Sequence, residues 1–239
     1  MNYNILLNKN VFVTGASGGI GQQIAASYAK RGCNLFLTGQ DLKRLSHVAE
    51  GMRQYGTEVH HLNANLADKR HIDELILEAK GRLNNIDIIV NCAGVFHTKP
   101  LEQTSVQDIS ECFDVNVIAP FLLTKGFVDD MIERRWGRIV NIGSSSSYNG
   151  FANTSAYCAS KHALLGFTRS MSSELKHKNV RTFCVSPGSV KTKMGKQVQN
   201  QDFQTFIDPE EVAEYIVFAT SFDSEMISDE IVMKRVSLQ

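Results

Sequence analysis

Short apolar, β-branched runs alternate with longer helical patterns along almost the whole chain, and few folds accommodate that alternation. "NVFVTG" (10–15) leads into a helical pattern through "IGQQIAASYAKRG", "NLFLTG" (34–39) into "LKRLSHVAEGMRQYG", and "TEVHHLNANL" (57–66) into "IDELILEAKGRL". "IDIIVNCAG" (86–94), "GRIVNIG" (137–143) and "VRTFCVSPG" (180–188) repeat the theme, joined by helices through 108–135 and 155–178. The strands are apolar on both faces, which a parallel sheet covered by helices on each side requires. A helix opening at Pro209 behind Asp208, with acids in its first turn, and a short strand "DEIVMKR" (229–235) complete the pattern. No linker or repeat divides the 239 residues. The expectation is one doubly wound α/β domain over 1–239, with about seven parallel strands and right-handed crossovers. The least periodic segment, 189–208, follows a strand end, where such sheets place ligands, and is expected to be a mobile substrate loop.

The first strand runs directly into Thr14-Gly15-Ala16-Ser17-Gly18-Gly19-Ile20-Gly21. Glycines between a strand and a helix let backbone N–H groups approach a pyrophosphate, and the helix amino terminus adds a favourable dipole. That context makes the fold Rossmann-like and points to a dinucleotide. The spacing is G-x-x-x-G-x-G rather than G-x-G-x-x-G.

Composition excludes other classes. Twenty-five basic residues balance twenty-five acidic ones, so no global field recruits nucleic acid or an anionic membrane. The five cysteines are scattered, without C-x-x-C, and fit a reducing cytoplasm. No apolar run approaches the ~18 residues of a membrane span, and the seven histidines form no ligand motif, so neither a membrane nor a metal is expected.

Tyr157 and Lys161, four apart in "AYCASK", share one helical face near a helix start, with Thr154 or Ser155 as the N-cap. An ammonium beside a phenol favours phenolate and makes tyrosine a usable acid or base. Upstream, "NIGSSSSYNG" (141–150) reads either as a solvated loop or as a strand end presenting one reactive hydroxyl.

With "TGASGGIG", "NCAG" (91–94), Asn116 in "DVNV", the serine run, "YCASK" and "PGSVKT" (187–192) in that order, the chain resembles the short-chain dehydrogenases and reductases, from the first strand to about Thr192. The resemblance implies an NAD(P)-dependent oxidoreductase that moves a hydride between nicotinamide and a carbonyl or secondary alcohol. Tyr157 would be the general acid and base, and Lys161 would assist it and bind the nicotinamide ribose. The backbone of Asn116 would hold a water linking the lysine to solvent. The family's serine lies thirteen residues before the tyrosine, which is Ser144 here, with Ser145 the runner-up; Ser147→Ala is expected to do little.

Thr14, Gly15, Ser17, Gly19, Ile20 and Gly21 would form the phosphate turn. Asn65, Leu66, Asn91, Ala93 and Gly94 would line the adenosine side, with Asn65 in place of the usual aspartate at the adenine. Pro187, Gly188, Val190 and Thr192 would cover the nicotinamide. Gly39 stands where an acid would select NAD and Gln40 where arginine often selects NADP, so the balance leans slightly to NADP(H), with Lys43 and Arg44 as phosphate partners. Phe96, Ser146, Asn149 and Phe151 would border the substrate. The carboxyl terminus lacks the family's V-D-G-G ending, which leaves a homodimer or homotetramer open. A 3-oxoacyl-carrier-protein reductase, with Lys191, Lys193 and Lys196 meeting the carrier, is one alternative; a non-catalytic NAD(P)-binding regulator is another.

Overall fold

In the computed structural model, residues 3–198 and 200–236 are described. The expected single domain and substrate loop therefore include residues 1, 2, 199 and 237–239, which lie outside the described residues.

Seven strands form one parallel sheet: β1 (Asn10–Thr14), β2 (Asn34–Gly39), β3 (Val59–Asn63), β4 (Ile88–Asn91), β5 (Gly137–Ile142), β6 (Val180–Pro187) and β7 (Glu230–Met233). Their order is β3-β2-β1-β4-β5-β6-β7. The chain reverses direction across the sheet between β1 and β4, and the crevice beyond their carboxyl ends is where such a sheet binds ligands.

Alternation along β1 shows how both faces are filled. Val11 and Val13 join the core shared with α1 (Gly19–Ala29), α2 (Leu42–Arg53) and α7 (Pro209–Thr220). Phe12 points the other way, into the core shared with α3 (Lys69–Leu83), α5 (Ala119–Glu133) and α6 (Ser155–Leu175). There it stacks on Phe36 at 5.5 Å and meets Phe127 at 5.3 Å.

Two elements differ from the sequence expectation. The third strand stops at Asn63 because Asn65 begins a turn, its side-chain oxygen accepting from Ala67 N and its carbonyl from Asp68 N. The helical pattern beginning near Asp108 divides into α4 (Val106–Phe113), a π turn (Asp114–Ile118) and α5. α4 starts two residues early because Ser105 and Asp108 form a capping box. Among the described residues no helix is long and apolar enough to cross a membrane.

Segment 189–208 is fastened at its base. Val190 and Ile207 form a parallel bridge, with Lys191 N donating to Ile207 O and Ile207 N to Ser189 O, both at 2.9 Å. Phe206 is buried beneath it. Arg235, beyond β7, donates to Thr205 Oγ1 at 3.0 Å and lies 5.2 Å over the Phe206 ring.

Candidate active site

A cleft of about 1090 Å³ opens at the carboxyl edge of the sheet, and its adenosine-side wall is built from glycine. Gly15 has φ +65°, and a Cβ on it would stand 2.8 Å from the Ala93 backbone. A Cβ on Gly21 would stand 2.3 Å from the Gly15 carbonyl oxygen. Thr14 holds the turn against the next crossing: its hydroxyl oxygen accepts from Cys92 N and Ala93 N, both at 3.0 Å. Helix α1 opens behind Gly18 with no side chain capping it, which leaves its first N–H groups for a ligand. An anionic pyrophosphate fits that bare, close-approach cradle.

Gly39 packs against the same loop. A Cβ there would stand 2.6 Å from Ser17 Oγ, so a side chain at the end of β2 would require the Ser17 hydroxyl to turn away. Beyond it, Gln40, Asp41 and Arg44 line the cleft, while Lys43 does not. Asp41 caps α2 by accepting from Arg44 N at 3.0 Å. A search for an acid at the end of β2 passes over this carboxylate, because its cap position becomes visible only once the helix start is known.

The other end of the cleft gathers the chemistry. Tyr157 and Lys161 project from the first turns of α6 beside Ser144, at the end of β5. Thr154 occupies the N-cap position, but its hydroxyl donates to Phe151 O at 2.9 Å instead of capping the helix. The Tyr157 phenol shares the cleft with the Ser144 hydroxyl, which acts to lower its pKa, and its ring meets Phe96 edge-on at 4.8 Å. Lys161 Nζ donates to the Ile142 carbonyl at 2.7 Å and lies 5.7 Å from the Tyr157 ring centre.

Asn116 is absent from the cleft lining and sits behind it, in the π turn. Its side-chain oxygen accepts from Val95 N at 2.9 Å, while its amide nitrogen donates to Val95 O at 3.1 Å and Ser160 Oγ at 3.0 Å. Ser160 in turn donates to Tyr157 O. Asn116 thus ties the loop after β4 to the helix that carries the tyrosine.

Burial dominates the electrostatics. It raises the Tyr157 phenol to about 12, the Ser144 hydroxyl pulling the other way. It lowers Lys161 from 10.5 to about 8. The phenol is therefore a protonated acid near neutral pH, and the expectation that the lysine depresses its pKa does not describe this arrangement. The physical reason is that desolvation of a nearly buried ring outweighs an ammonium committed to a carbonyl. Cys92 also lines the cleft, and burial pushes its thiol up to about 12.

The serine run resolves into a tight turn over Ser145–Ser147. Ser144 Oγ accepts from Ser146 N at 3.1 Å, and Ser147 Oγ accepts from Ser144 N, also at 3.1 Å. Gly143 precedes them because a Cβ there would lie 2.3 Å from Ser186 Oγ. Ser147 therefore braces Ser144, so its loss should cost more than the little expected from the sequence, though less than the loss of Ser144 itself. Ser144→Ala is expected to lower kcat about 100-fold with cofactor affinity retained. Ser147→Ala should lower it about fivefold, since a buried hydrogen bond is worth about 1 kcal/mol. Steady-state kinetics beside a cofactor titration checks both.

Of the remaining residues named from sequence, Ser17, Gly19, Ile20, Leu66, Ala93, Gly94, Ser146, Phe96, Phe151, Pro187, Gly188, Val190 and Thr192 line the cleft. Asn65, Asn91 and Asn149 do not. The Asn65 side-chain oxygen already accepts from Ala67 N and Gln40 Nε2. Asn91 is buried in the sheet and donates to Asn141 Oδ1 at 2.8 Å. Asn149 is exposed and donates back to Ser145 O. Met194, Gln201 and Phe203 border the cleft without having been singled out, although all three fall within the 189–208 segment.

Comparison with known proteins agrees with this arrangement. The family model for short chain dehydrogenase matches residues 9–202. A 3-oxoacyl-[acyl-carrier-protein] reductase, FabG, of Aquifex aeolicus is 33% identical over 237 residues, covering 95% of this chain and 96% of the relative. The crystal structure of a metagenomic short-chain oxidoreductase in complex with NADP superposes with a TM-score of 0.86 at 28% identity, covering 98% of this chain and all of that one (100%). An alcohol dehydrogenase from the archaeon Thermococcus sibiricus, complexed with 5-hydroxy-NADP, gives 0.89 at 25% identity, covering 97% and 98% of the two chains. With the glycine cradle, the Ser144–Tyr157–Lys161 cluster and this breadth of match, the chain belongs to the short-chain dehydrogenase family.

Proposed function

We propose that Tyr157 is the general acid and base of this NAD(P)-dependent oxidoreductase, acting on a carbonyl or the corresponding secondary alcohol. The observation that carries the reading is the gathering of Ser144, Tyr157 and Lys161 at the inner end of a cleft whose other end is a pyrophosphate cradle. When bound, the nicotinamide cofactor supplies or accepts the hydride. Ser144 Oγ donates to the substrate oxygen and orients it. Tyr157 gives that oxygen its proton in reduction and takes it back in oxidation. Lys161 reaches the cofactor ribose and re-protonates the phenolate. Asn116 holds the loop after β4 so that these groups stay aligned. The decisive experiment follows reduced-cofactor absorbance with NADPH or NADH and a panel of ketones, aldehydes and 3-oxoacyl thioesters. Tight cofactor binding with no turnover of any of them would support the regulator instead.

NADP(H) is the proposed cofactor. Position 39 is glycine and carries no carboxylate to repel a 2′-phosphate, and Arg44 lines the cleft, where such a phosphate would find it. The neighbouring Asp41 is engaged in capping α2. Arg44→Ala should weaken NADPH binding about tenfold and leave NADH nearly unchanged; equal affinities of the native protein for both cofactors would overturn the assignment.

Among substrates, 3-oxoacyl groups on a carrier form the second reading. Lys191, Lys193 and Lys196 line the cleft beside Phe203, with no acidic residue among the lining residues of that segment. Segment 189–208 is the proposed substrate loop, moving above its fastened base. For assembly we propose a homodimer through α5 and α6, where Phe121, half exposed, stacks on Phe167 at 4.8 Å and Ile118 lies exposed nearby. A monomer in sedimentation equilibrium removes that reading.

A further inference from the structure

One carboxylate on the last strand joins the two elements that carry Ser144 and Tyr157. Glu230 opens β7. It accepts from Arg169 of α6 through both oxygens, Nε to Oε1 at 2.6 Å and Nη2 to Oε2 at 2.9 Å. It also accepts from the Tyr148 hydroxyl, to Oε2 at 3.0 Å. Tyr148 directly follows the serine turn, and its backbone N–H donates to Ser145 O. Arg169 lies twelve residues after Tyr157 on the same helix, so it fixes the far end of the rod that presents the phenol. The preceding residue repeats the attachment: Asp229 Oδ2 accepts from Ser172 Oγ at 2.9 Å, while its carbonyl accepts from Cys184 N of β6.

The chemistry of these contacts favours positioning over stability. Arg169 and Glu230 are both partly in water, with side-chain exposures of 56% and 33%. Such a pair contributes little to folding. Its bidentate geometry and the third bond from Tyr148 nevertheless restrict where the serine turn sits relative to α6. Neither Glu230 nor Arg169 borders the cleft, so neither touches the reacting atoms.

We propose that Glu230 is a positioning residue that sets the Ser144–Tyr157 distance by holding Tyr148 and Arg169 on one carboxylate. The proposal rests on the assignment of Ser144 and Tyr157 as the substrate-orienting and proton-transferring pair. It also gives the segment after residue 228, where this chain departs from its family's usual ending, a role in catalysis.

The test is a double-mutant cycle with the carbonyl compound that gives the highest turnover. Glu230→Ala should lower kcat about tenfold, with the KM for the cofactor unchanged, and Glu230→Gln, which can still accept from Tyr148, should recover part of the loss. In a Ser144→Ala background, Glu230→Ala should add less than about twofold, because its effect passes through Ser144. A full tenfold loss in that background, or an undiminished kcat for Glu230→Ala, overturns the proposal. A second measurement needs no substrate: hydrogen exchange of the NADPH-loaded protein should speed up over 144–149 in Glu230→Ala while 10–39 is unaffected. Unchanged exchange over 144–149 also overturns it. The underlying assignment fails separately, through full activity of Tyr157→Phe, whatever Glu230→Ala does.

Discussion

Tyr157→Phe is expected to lower kcat about a thousandfold, the scale of losing a positioned general acid, while the affinity for reduced cofactor stays within about twofold. The reasoning starts from burial. The phenol is 8% exposed, and burial raises its pKa to about 12, so it carries its proton throughout the neutral range and is ready to donate in reduction. Phenylalanine keeps the ring and its edge contact with Phe96 but removes the hydroxyl that shares the cleft with Ser144. The fold should tolerate the change, since the ring keeps its packing and no cavity forms. Stopped-flow single-turnover kinetics separates the chemical step from cofactor release. A loss confined to KM would mean that Tyr157 only binds substrate.

Lys161→Met should move activity and stability in opposite directions. Turnover should fall at least about 100-fold, because the ammonium proposed to serve the cofactor ribose and the phenolate is gone. Stability at neutral pH should rise. Burial lowers the folded-state pKa of Lys161 from 10.5 to about 8, so holding the ammonium at pH 7 costs folding about 3 kcal/mol. Part of that is already offset by its bond to Ile142 O, and a methionine leaves the carbonyl without that donor. A net gain of about 1 to 2 kcal/mol remains. The sign with pH follows from the depressed pKa. Below about 8 the native lysine is charged in both states and the penalty is complete. As pH rises through the interval up to 10.5 the folded state loses its proton first, the native protein gains stability relative to the variant, and the difference closes. Urea titrations of both proteins at pH 7 and pH 10 measure it; a gap that widens with pH would contradict the burial argument.

The sheet was readable in the sequence because its strands are short, apolar on both faces and separated by helices with regular spacing. The glycine turn was readable too, since Gly15 and Gly21 stand where a side chain would strike backbone. Finer features depended on contacts far apart in the chain. Thr14, taken to shape the phosphate turn, does so by accepting N–H groups of Cys92 and Ala93, a pairing that no local pattern encodes. Asn65 reads as an adenine contact from its position after β3, yet it spends its side-chain oxygen on its own turn and on Gln40. Ser147 reads as filler in a polar run until the turn closes and its hydroxyl meets Ser144 N. The tyrosine–lysine spacing was visible as a helical face, but the pKa of each group was not. Both values come from desolvation by residues on other elements.

The π turn at 114–118 amounts to one surplus residue in an otherwise regular helix. Each residue advances an α-helix by about 100°, so the surplus lets two stretches of one rod face different neighbours. Asn116 turns towards Val95 and Ser160, while Leu123 and Phe127 keep their places in the core. Removing one residue from this stretch should restore a regular hydrogen-bond ladder but take Asn116 off the bearing from which it reaches Val95 and Ser160. A one-residue deletion within 114–118 is therefore expected to leave the sheet folded while releasing the loop after β4 from its fastening to α6.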